Sequence, residues 1–292
     1  MIDQAQKLRE IARDAAVRPP SPLIQRVSSK RCVSIAVTSG KGGVGKTTLS
    51  LVLASSLAKL QKKVLLMDAD LGLANLHILL GLAPRFNLGH LVAGECGMDD
   101  IIIEAAPGVY LAPGASGLER LANLDAGRLE RLRMDFMGLE DRYDYLIMDT
   151  GAGISSAVTG FARNADLVLL VMTLDPSSLA DAYAMVKVLY EKGSTNIAVA
   201  VNMAANEREG RARFDDLNKL VVKFLKKPVE LYAILPNDSE ILRLGRKQIH
   251  LVGQGGGNKF YGITSLLARR ICGAGKIGAD SGFFDRLFKG MR

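Results

Sequence analysis

The sequence predicts an α/β protein, a mostly parallel, doubly wound sheet with helices on both faces, arranged around a phosphate-binding loop. Short continuous apolar runs, of the kind found in strands buried on both faces, alternate with longer segments of helical period along most of the 292 residues. Such regular alternation implies right-handed crossovers between parallel strands. The first apolar run is followed at once by Gly40-Lys41-Gly42-Gly43-Val44-Gly45-Lys46-Thr47-Thr48, which satisfies G-x-x-x-x-G-K-[ST] in the strand, loop, helix setting that this spacing requires.

At the N-terminus, Ile2, Ala5, Leu8, Ala12 and Ala15 recur at spacings of three and four, so residues 1–16 are expected to form a short amphipathic helix with a weak apolar stripe. VRPPSPL at 17–23 cannot continue it, because proline lacks the backbone donor a helix needs. Residues 17–30 are therefore expected as an extended linker ahead of a folded body over 31–272. Within the body, strands are predicted at 32–38 (CVSIAVT), 63–67 (KVLLM), 144–149 (DYLIMD), 166–172 (DLVLLVM), 196–202 (NIAVAVN) and 230–235 (ELYAIL). Helices are predicted at 46–60, 127–140, 178–192, 207–225 and 259–272. No internal repeat is visible. Residues 273–292 are expected as a glycine-rich flexible link followed by a short amphipathic helix, FFDRLFKGMR.

Composition narrows the function classes. With 48% apolar and 23% charged residues the chain has the balance of an ordinary globular protein, and no apolar run approaches the 18 or so residues that cross a bilayer. The charged first 30 residues lack a secretory pattern, so a cytoplasmic protein is expected. Cys32, Cys96 and Cys272 are odd in number and share no CxxC spacing, which argues against a disulfide framework, a zinc site or an iron–sulfur cluster. Of the net charge of +8, residues 1–31 supply seven basic and three acidic side chains and residues 259–292 seven and two, leaving −1 for the stretch between. A nucleic-acid binder would carry its excess on the folded body, so no direct nucleic-acid partner is expected.

The loop's chemistry follows from its composition. Gly40, Gly42, Gly43, Val44 and Gly45 let the backbone fold so that its N–H groups converge on phosphates, and the helix opening at Lys46, Thr47 and Thr48 adds its positive end. Lys46 is expected on the β- and γ-phosphates of ATP, and the Thr47 hydroxyl on Mg2+. A second lysine inside the loop, Lys41, makes KGGVGKT resemble the deviant Walker A family of MinD- and ParA-type ATPases. That resemblance implies a homodimer that sandwiches ATP, with Lys41 reaching the partner's nucleotide. It continues through LLMDADLGLANLH, where Asp68, Asp70, Gly72 and Asn75 match a DxDxGxxN segment. It implies that Asp70 orients the attacking water and that Asp68 lies nearer the metal. His77 stands where relatives often carry aspartate, and no role is carried over to it. YLIMDTGAG at 145–153 matches the Walker B strand and a switch loop, which implies Mg2+ held through Asp149 and movement at Gly151 and Gly153. The resemblance also implies that adenine is recognised by Asn202 and by the Pro236-Asn237-Asp238 turn, although asparagine at a strand end is also a common turn residue.

The two ends carry the remaining signals. The last helix sets Phe283, Phe284, Leu287, Phe288 and Met291 on one side, flanked by Arg286, Lys289 and Arg292, and is expected to lie in a membrane interface, as a similar tail does in MinD-type proteins. One copy would bind marginally and two copies on an ATP dimer by avidity, placing the protein on the inner face of the cell membrane when ATP is bound. Reversible docking of the helix on its own core in the monomer is compatible with this. DQAQKLRE at 3–10 resembles the DQAxxLR motif of flagellar-number regulators of the FlhG (FleN) type, as do DADLGLANLH, the DTGAG loop and LADAYAMVK at 179–187. That resemblance implies that Asp3, Gln4, Ala5, Leu8 and Arg9 engage a FlhF-type GTPase. It also implies flagellar C-ring proteins and a flagellar transcriptional activator as further partners. Three rivals share the loop: a division-site MinD, which lacks the N-terminal motif; a DNA-partitioning ParA, which the near-neutral body disfavours; and an iron–sulfur reductase, which the cysteine spacing disfavours.

Overall fold

The computed structural model describes residues 31–70, 75–114, 125–194, 196–246, 252, 258–274 and 281–290. The expected N-terminal helix with Asp3, Gln4, Ala5, Leu8 and Arg9, the linker 17–30, Gly72, residues 275–280 of the link, Met291 and Arg292 lie outside the described residues.

The described strands form one sheet in the order β3-β4-β2-β5-β1-β6-β7-β8. They are β1 (Val33–Ser39), β2 (Val64–Ala69), β3 (Ile103–Ala106), β4 (Val109–Ala112), β5 (Tyr145–Ala152), β6 (Leu167–Met172), β7 (Ile197–Ala204) and β8 (Glu230–Pro236). Every neighbouring pair is parallel except β3 with β4. The described helices are α1 (Lys46–Lys59), α2 (Leu76–Leu79), α3 (Leu88–Ala93), α4 (Met98–Ile101), α5 (Ala126–Glu140), α6 (Ser156–Asn164), α7 (Pro176–Glu191), α8 (Glu207–Leu225), α9 (Ser239–Arg246), α10 (Lys259–Gly273) and α11 (Phe283–Lys289).

Two apolar layers explain why the strand sequences are continuously hydrophobic rather than alternating. On β5, Leu146 and Met148 face the layer that holds Phe136 of α5, Phe161 of α6, Val186 of α7 and Leu217 of α8. Tyr145 and Ile147 face the opposite layer, which holds Leu53 and Leu57 of α1 and Leu267 of α10. A residue on either face is therefore removed from water, and both faces select apolar side chains.

All six predicted strands and all five predicted body helices are present, with ends displaced by at most three residues. Not anticipated were the antiparallel edge pair β3–β4, the short helices α2 to α4, and helices α6 and α9. The edge pair turns at Pro107-Gly108, where Gly108 takes φ 80. Four-residue strands are too short to display a period, so that turn was their one legible signal.

The end of the chain takes the docked arrangement that the sequence left open beside a membrane-facing one. Helix α11 packs against α5 and α6, and Phe283, Phe284, Leu287 and Phe288, the side chains assigned to the membrane, are 1%, 1%, 5% and 2% exposed. Phe136 receives two of these rings, at centroid distances of 4.9 Å (Phe284) and 5.7 Å (Phe288). Arg286 Nη2 donates to the buried Asp166 at 2.7 Å, Arg133 Nη2 to Asp285 at 2.7 Å, and the Phe284 backbone N–H to Glu140 Oε1 at 2.7 Å. Lys289 stays exposed and pairs with Asp285. Four large buried side chains contribute roughly 1.5–3 kcal/mol each at most, whereas ordering each residue of the helix costs about 1–2 kcal/mol. Docking of a helix this short is therefore near balance, and the polar contacts tip it.

Candidate functional site

The loop between β1 and α1 lies at the C-terminal end of a central strand, where the chain passes from β5 to β6 on the other side of β1. Open α/β sheets hold ligands in that crevice. Gly43 (φ 76) and Gly45 (φ 91) take left-handed backbone, which lets the loop wrap ahead of the α1 N-terminus. Gly40 is required for another reason, since a methyl group there would strike the backbone carbonyl of Asp181 in α7. Gly40→Ala is expected to destabilise the protein by about 1–3 kcal/mol and to weaken nucleotide binding with it. An unchanged melting temperature would refute the packing role.

Lys46 is buried, and its Nζ donates to Ser39 Oγ at 3.0 Å, whose hydroxyl donates to the Lys41 carbonyl at 2.6 Å. Burial pulls the ammonium below the usual lysine range, opposed by the charges of Asp149 and Asp70. A bound polyphosphate would remove that penalty. Asp149, on β5, is 3% exposed. Burial pushes its carboxyl up to about 7; the Thr47 and Ser50 hydroxyls and Lys46 hold it down, and Asp68 adds to the rise. Ser50 Oγ bridges the Lys46 carbonyl (3.0 Å) and Asp149 Oδ1 (3.2 Å).

Asp68 faces Asp149 across the β2–β5 register, but its oxygens are engaged by backbone N–H groups, Leu76 at 3.0 Å and Asp70 at 3.4 Å. It organises the start of α2, and burial raises its pKa. Asp70 follows β2, half-buried, close enough to Lys46 to raise the ammonium's affinity for its proton. Its Oδ1 lies 3.3 Å from where a β-carbon at Gly151 would stand, so glycine in the switch loop leaves this carboxylate its space. The switch segment is tied to β1, the strand that leads into the phosphate loop, by Gly153 N–H donating to the Ser39 carbonyl at 3.0 Å and by the Thr150 hydroxyl donating to the Val37 carbonyl at 3.1 Å.

Lys41 is half-exposed, and its Nζ donates to Ser177 Oγ at 2.8 Å, with Asp175 at 3.9 Å. Within a single chain the second lysine is thus held on the first turn of α7. On the side expected for adenine, Asn202 Nδ2 donates to the Val44 carbonyl at 2.8 Å, while its buried Oδ1 has no hydrogen-bond partner among the described residues. Asn202, Met203, Pro236, Asp238 and Phe260 line a small cavity beside Gly45 and Thr48. Asp238 also caps α9, accepting from Glu240 N–H at 2.9 Å and Ile241 N–H at 3.2 Å. The buried His77 Nδ1 has no hydrogen-bond partner among the described residues.

Sequence reasoning missed Ser39, Ser50, Ser177 and Met203. Met203 takes φ 56, a costly conformation for a long side chain, at the mouth of this cavity. Nothing in the local sequence marks it. The serines belong to no pattern and become visible only when β1, α1 and α7 are brought together.

A family profile described as an AAA domain matches residues 32–202. The chain is 41% identical to the antiactivator FleN of Pseudomonas aeruginosa over 215 residues, 73% of this chain and 77% of that protein. It is 41% identical to the flagellum site-determining protein YlxH of Helicobacter pylori over 186 residues, 64% of this chain and 63% of that protein. Among solved structures, the septum site-determining protein MinD of Pyrococcus horikoshii, complexed with Mg-ADP, matches with a TM-score of 0.66 and 26% identity over 86% of this chain and 100% of that one. With the second lysine in the loop, the acidic β2 and β5 ends and the parallel sheet all in place, the chain belongs to the MinD/ParA family of P-loop ATPases.

Proposed function

We propose that this protein is an ATP-dependent, dimerising switch that regulates flagellar number and placement, and that associates with the inner face of the membrane in its ATP form. The observation that carries the switch is Lys41, a cation of the phosphate loop whose ammonium sits half-exposed on Ser177. A lysine so placed can leave α7 and meet the nucleotide of a second copy, which makes pairing depend on the γ-phosphate. Lys41→Ala should bind ATP but fail to dimerise, and a dimer by light scattering in Mg2+-ATP would refute the assignment.

The residues present fit Mg2+-ATP. The left-handed glycines form a cradle, a buried lysine waits for an anion, and the Asn202 carbonyl oxygen lacks a partner. Thr47 and Asp149 would hold the Mg2+, a donor set that suits an ion taking its other ligands from phosphates and water. That ion would neutralise charge on the transferring phosphoryl group. Lys46 would bind the β- and γ-phosphates, Asp70 would orient water, and Asp68 would hold the segment that carries Asp70. Docking of α11 supports reversible membrane association, because it gives the apolar face a berth when the protein is monomeric.

The flagellar reading rests on the relatives' identity and on DQAQKLRE. Residues 1–16 would act on a FlhF-type GTPase, and C-ring proteins and a flagellar transcriptional activator would be further partners. A peptide of residues 1–20 should stimulate that GTPase and lose its effect on Gln4→Ala. No stimulation at saturating peptide would shift the reading to division-site placement.

A further inference from the structure

β8 closes one side of the sheet: β7 pairs with it, and no described strand pairs with its other side. A strand so placed presents a row of backbone donors and acceptors to whatever lies beside it. A cavity of about 390 Å3 runs along it, with Tyr232 and Ile234 of the strand as its floor, Arg211 of α8 on one wall and Lys259, Ile263 and Leu266 of α10 on the other. Phe260 meets Pro236 at the small cavity beside the phosphate loop, and Arg270 bonds the Leu231 carbonyl, so α10 runs antiparallel to β8. The stretch from Leu231 to Pro236 is roughly 16 Å of extended chain, and the groove follows it.

Proteins commonly blunt such an edge with charge, and here only its beginning is blunted. Arg270 Nη1 donates to the Leu231 carbonyl at 2.7 Å, Nη2 pairs with Glu230 at 3.2 Å, and the guanidinium lies 3.9 Å from the Tyr232 ring centroid. Farther along, the α10 wall is apolar: Ile263 is half-buried and Leu266 is 66% exposed. At the Pro236 end stand two exposed cations, Arg211 and Lys259, which pair with no carboxylate of the described residues. Among the described lining residues Glu207 is the one carboxylate. Lys259 opens α10, where the positive end of the helix disfavours a cation, so its charge does not serve the helix.

We propose that this groove receives an extended acidic segment of a partner protein, which adds to β8 as a further strand. Successive side chains of a strand point to opposite faces, and α10 and α8 lie on opposite faces of the sheet. One set of side chains, apolar, meets Ile263 and Leu266. The other, acidic, meets Arg211, and a carboxylate at the Pro236 end meets Lys259. Backbone hydrogen bonds along the edge supply affinity, and these side chains supply selectivity. The chain's own N-terminal segment is excluded by charge, since residues 1–31 carry seven basic and three acidic side chains. Nucleic acid would match the cations but leave Ile263, Leu266 and the strand edge unmatched, which favours a peptide.

The test is selection of phage-displayed random decapeptides on the full chain in saturating Mg2+-ADP, followed by fluorescence anisotropy of the enriched peptides. Enriched sequences should alternate apolar with acidic residues. Like charges brought together across an interface are strongly unfavourable, so affinity should fall at least about tenfold in Arg211→Glu/Lys259→Glu, and by a similar factor in Leu266→Asp. It should change less than about twofold in the control Arg131→Glu/Lys219→Glu, exposed positions of α5 and α8 that do not line the groove. Arg211, Lys259 and Leu266 are exposed, so the melting temperature of each variant should match the parent. Hydrogen exchange of residues 231–236 should slow when peptide binds, because strand addition pairs backbone amides along the edge. Enriched peptides that bind the groove variants as tightly as the parent, that leave exchange in β8 unchanged or that are basic would overturn the proposal, as would failure to enrich any peptide. Loss of double-stranded DNA binding in Arg211→Glu/Lys259→Glu, without loss of peptide binding, would assign the groove to nucleic acid and overturn it equally.

Discussion

Asp70→Ala is expected to retain Mg2+-ATP binding, to hydrolyse about 10²–10⁴-fold more slowly and to accumulate as an ATP-bound dimer. The groups that grip the nucleotide are elsewhere: Lys46 is fixed by Ser39, Thr47 and Ser50 are linked to Asp149, and the loop keeps its glycines. Asp70 follows the end of β2 between Lys46 and Gly151, at the edge of the crevice, with its oxygen towards the switch loop. A carboxylate there can orient a water towards the γ-phosphate without contacting the metal. Truncation also removes one of two negative charges that support the Lys46 ammonium, which raises the value of phosphate as its counter-ion and preserves affinity. Single-turnover hydrolysis beside equilibrium nucleotide binding separates these effects. Hydrolysis at the parental rate would sink the assignment of Asp70 as the water-orienting residue.

What could be read in advance follows how locally each feature is encoded. β2 and β6 are buried along their whole length, so apart from Asp68 near the C-terminal end of β2 the sequence has no freedom there but to be apolar, and both were legible. Gly43 and Gly45 were legible because a left-handed backbone next to a phosphate admits little else. The docking of α11 was legible only as an arrangement compatible with the pattern, without its partners. Phe283, Phe284, Leu287 and Phe288 have the same pattern whether they face lipid or Phe136, and a face of that kind specifies an apolar surface without naming it. Only the partners of Arg286 and Asp285 separate the two cases, and those partners, Asp166 and Arg133, are more than 100 residues away in sequence. The bond from Lys41 to Ser177 was hidden in the same way, by a separation of 136 residues.

Asp149→Asn is expected to abolish Mg2+-dependent hydrolysis while stabilising the nucleotide-free protein at neutral and alkaline pH. The carboxyl titrates near its ordinary 3.8 in the unfolded chain and near 7 in the folded one, chiefly because burial disfavours the charge. Between those values the folded state keeps a proton that the unfolded state has released. The contribution of this group to stability is therefore fully present below about pH 4, falls as pH rises and is lost above about pH 7. A shift of this size corresponds to at most about 4 kcal/mol. Asparagine carries no charge at any pH, so the variant's melting temperature should stay flat where the wild type declines, and the gap should reach several degrees near pH 8, at roughly 2–4 °C per kcal/mol. Mg2+-ATP should reverse the order, because the cation compensates the buried carboxylate in the wild type and finds only a neutral amide in the variant. Melting curves of both proteins across pH, with and without Mg2+-ATP, measure this directly. A wild-type curve that is flat between pH 4 and 7, or a variant that gains as much from Mg2+-ATP as the wild type does, would show that Asp149 is neither the strained buried charge nor the metal-holding group.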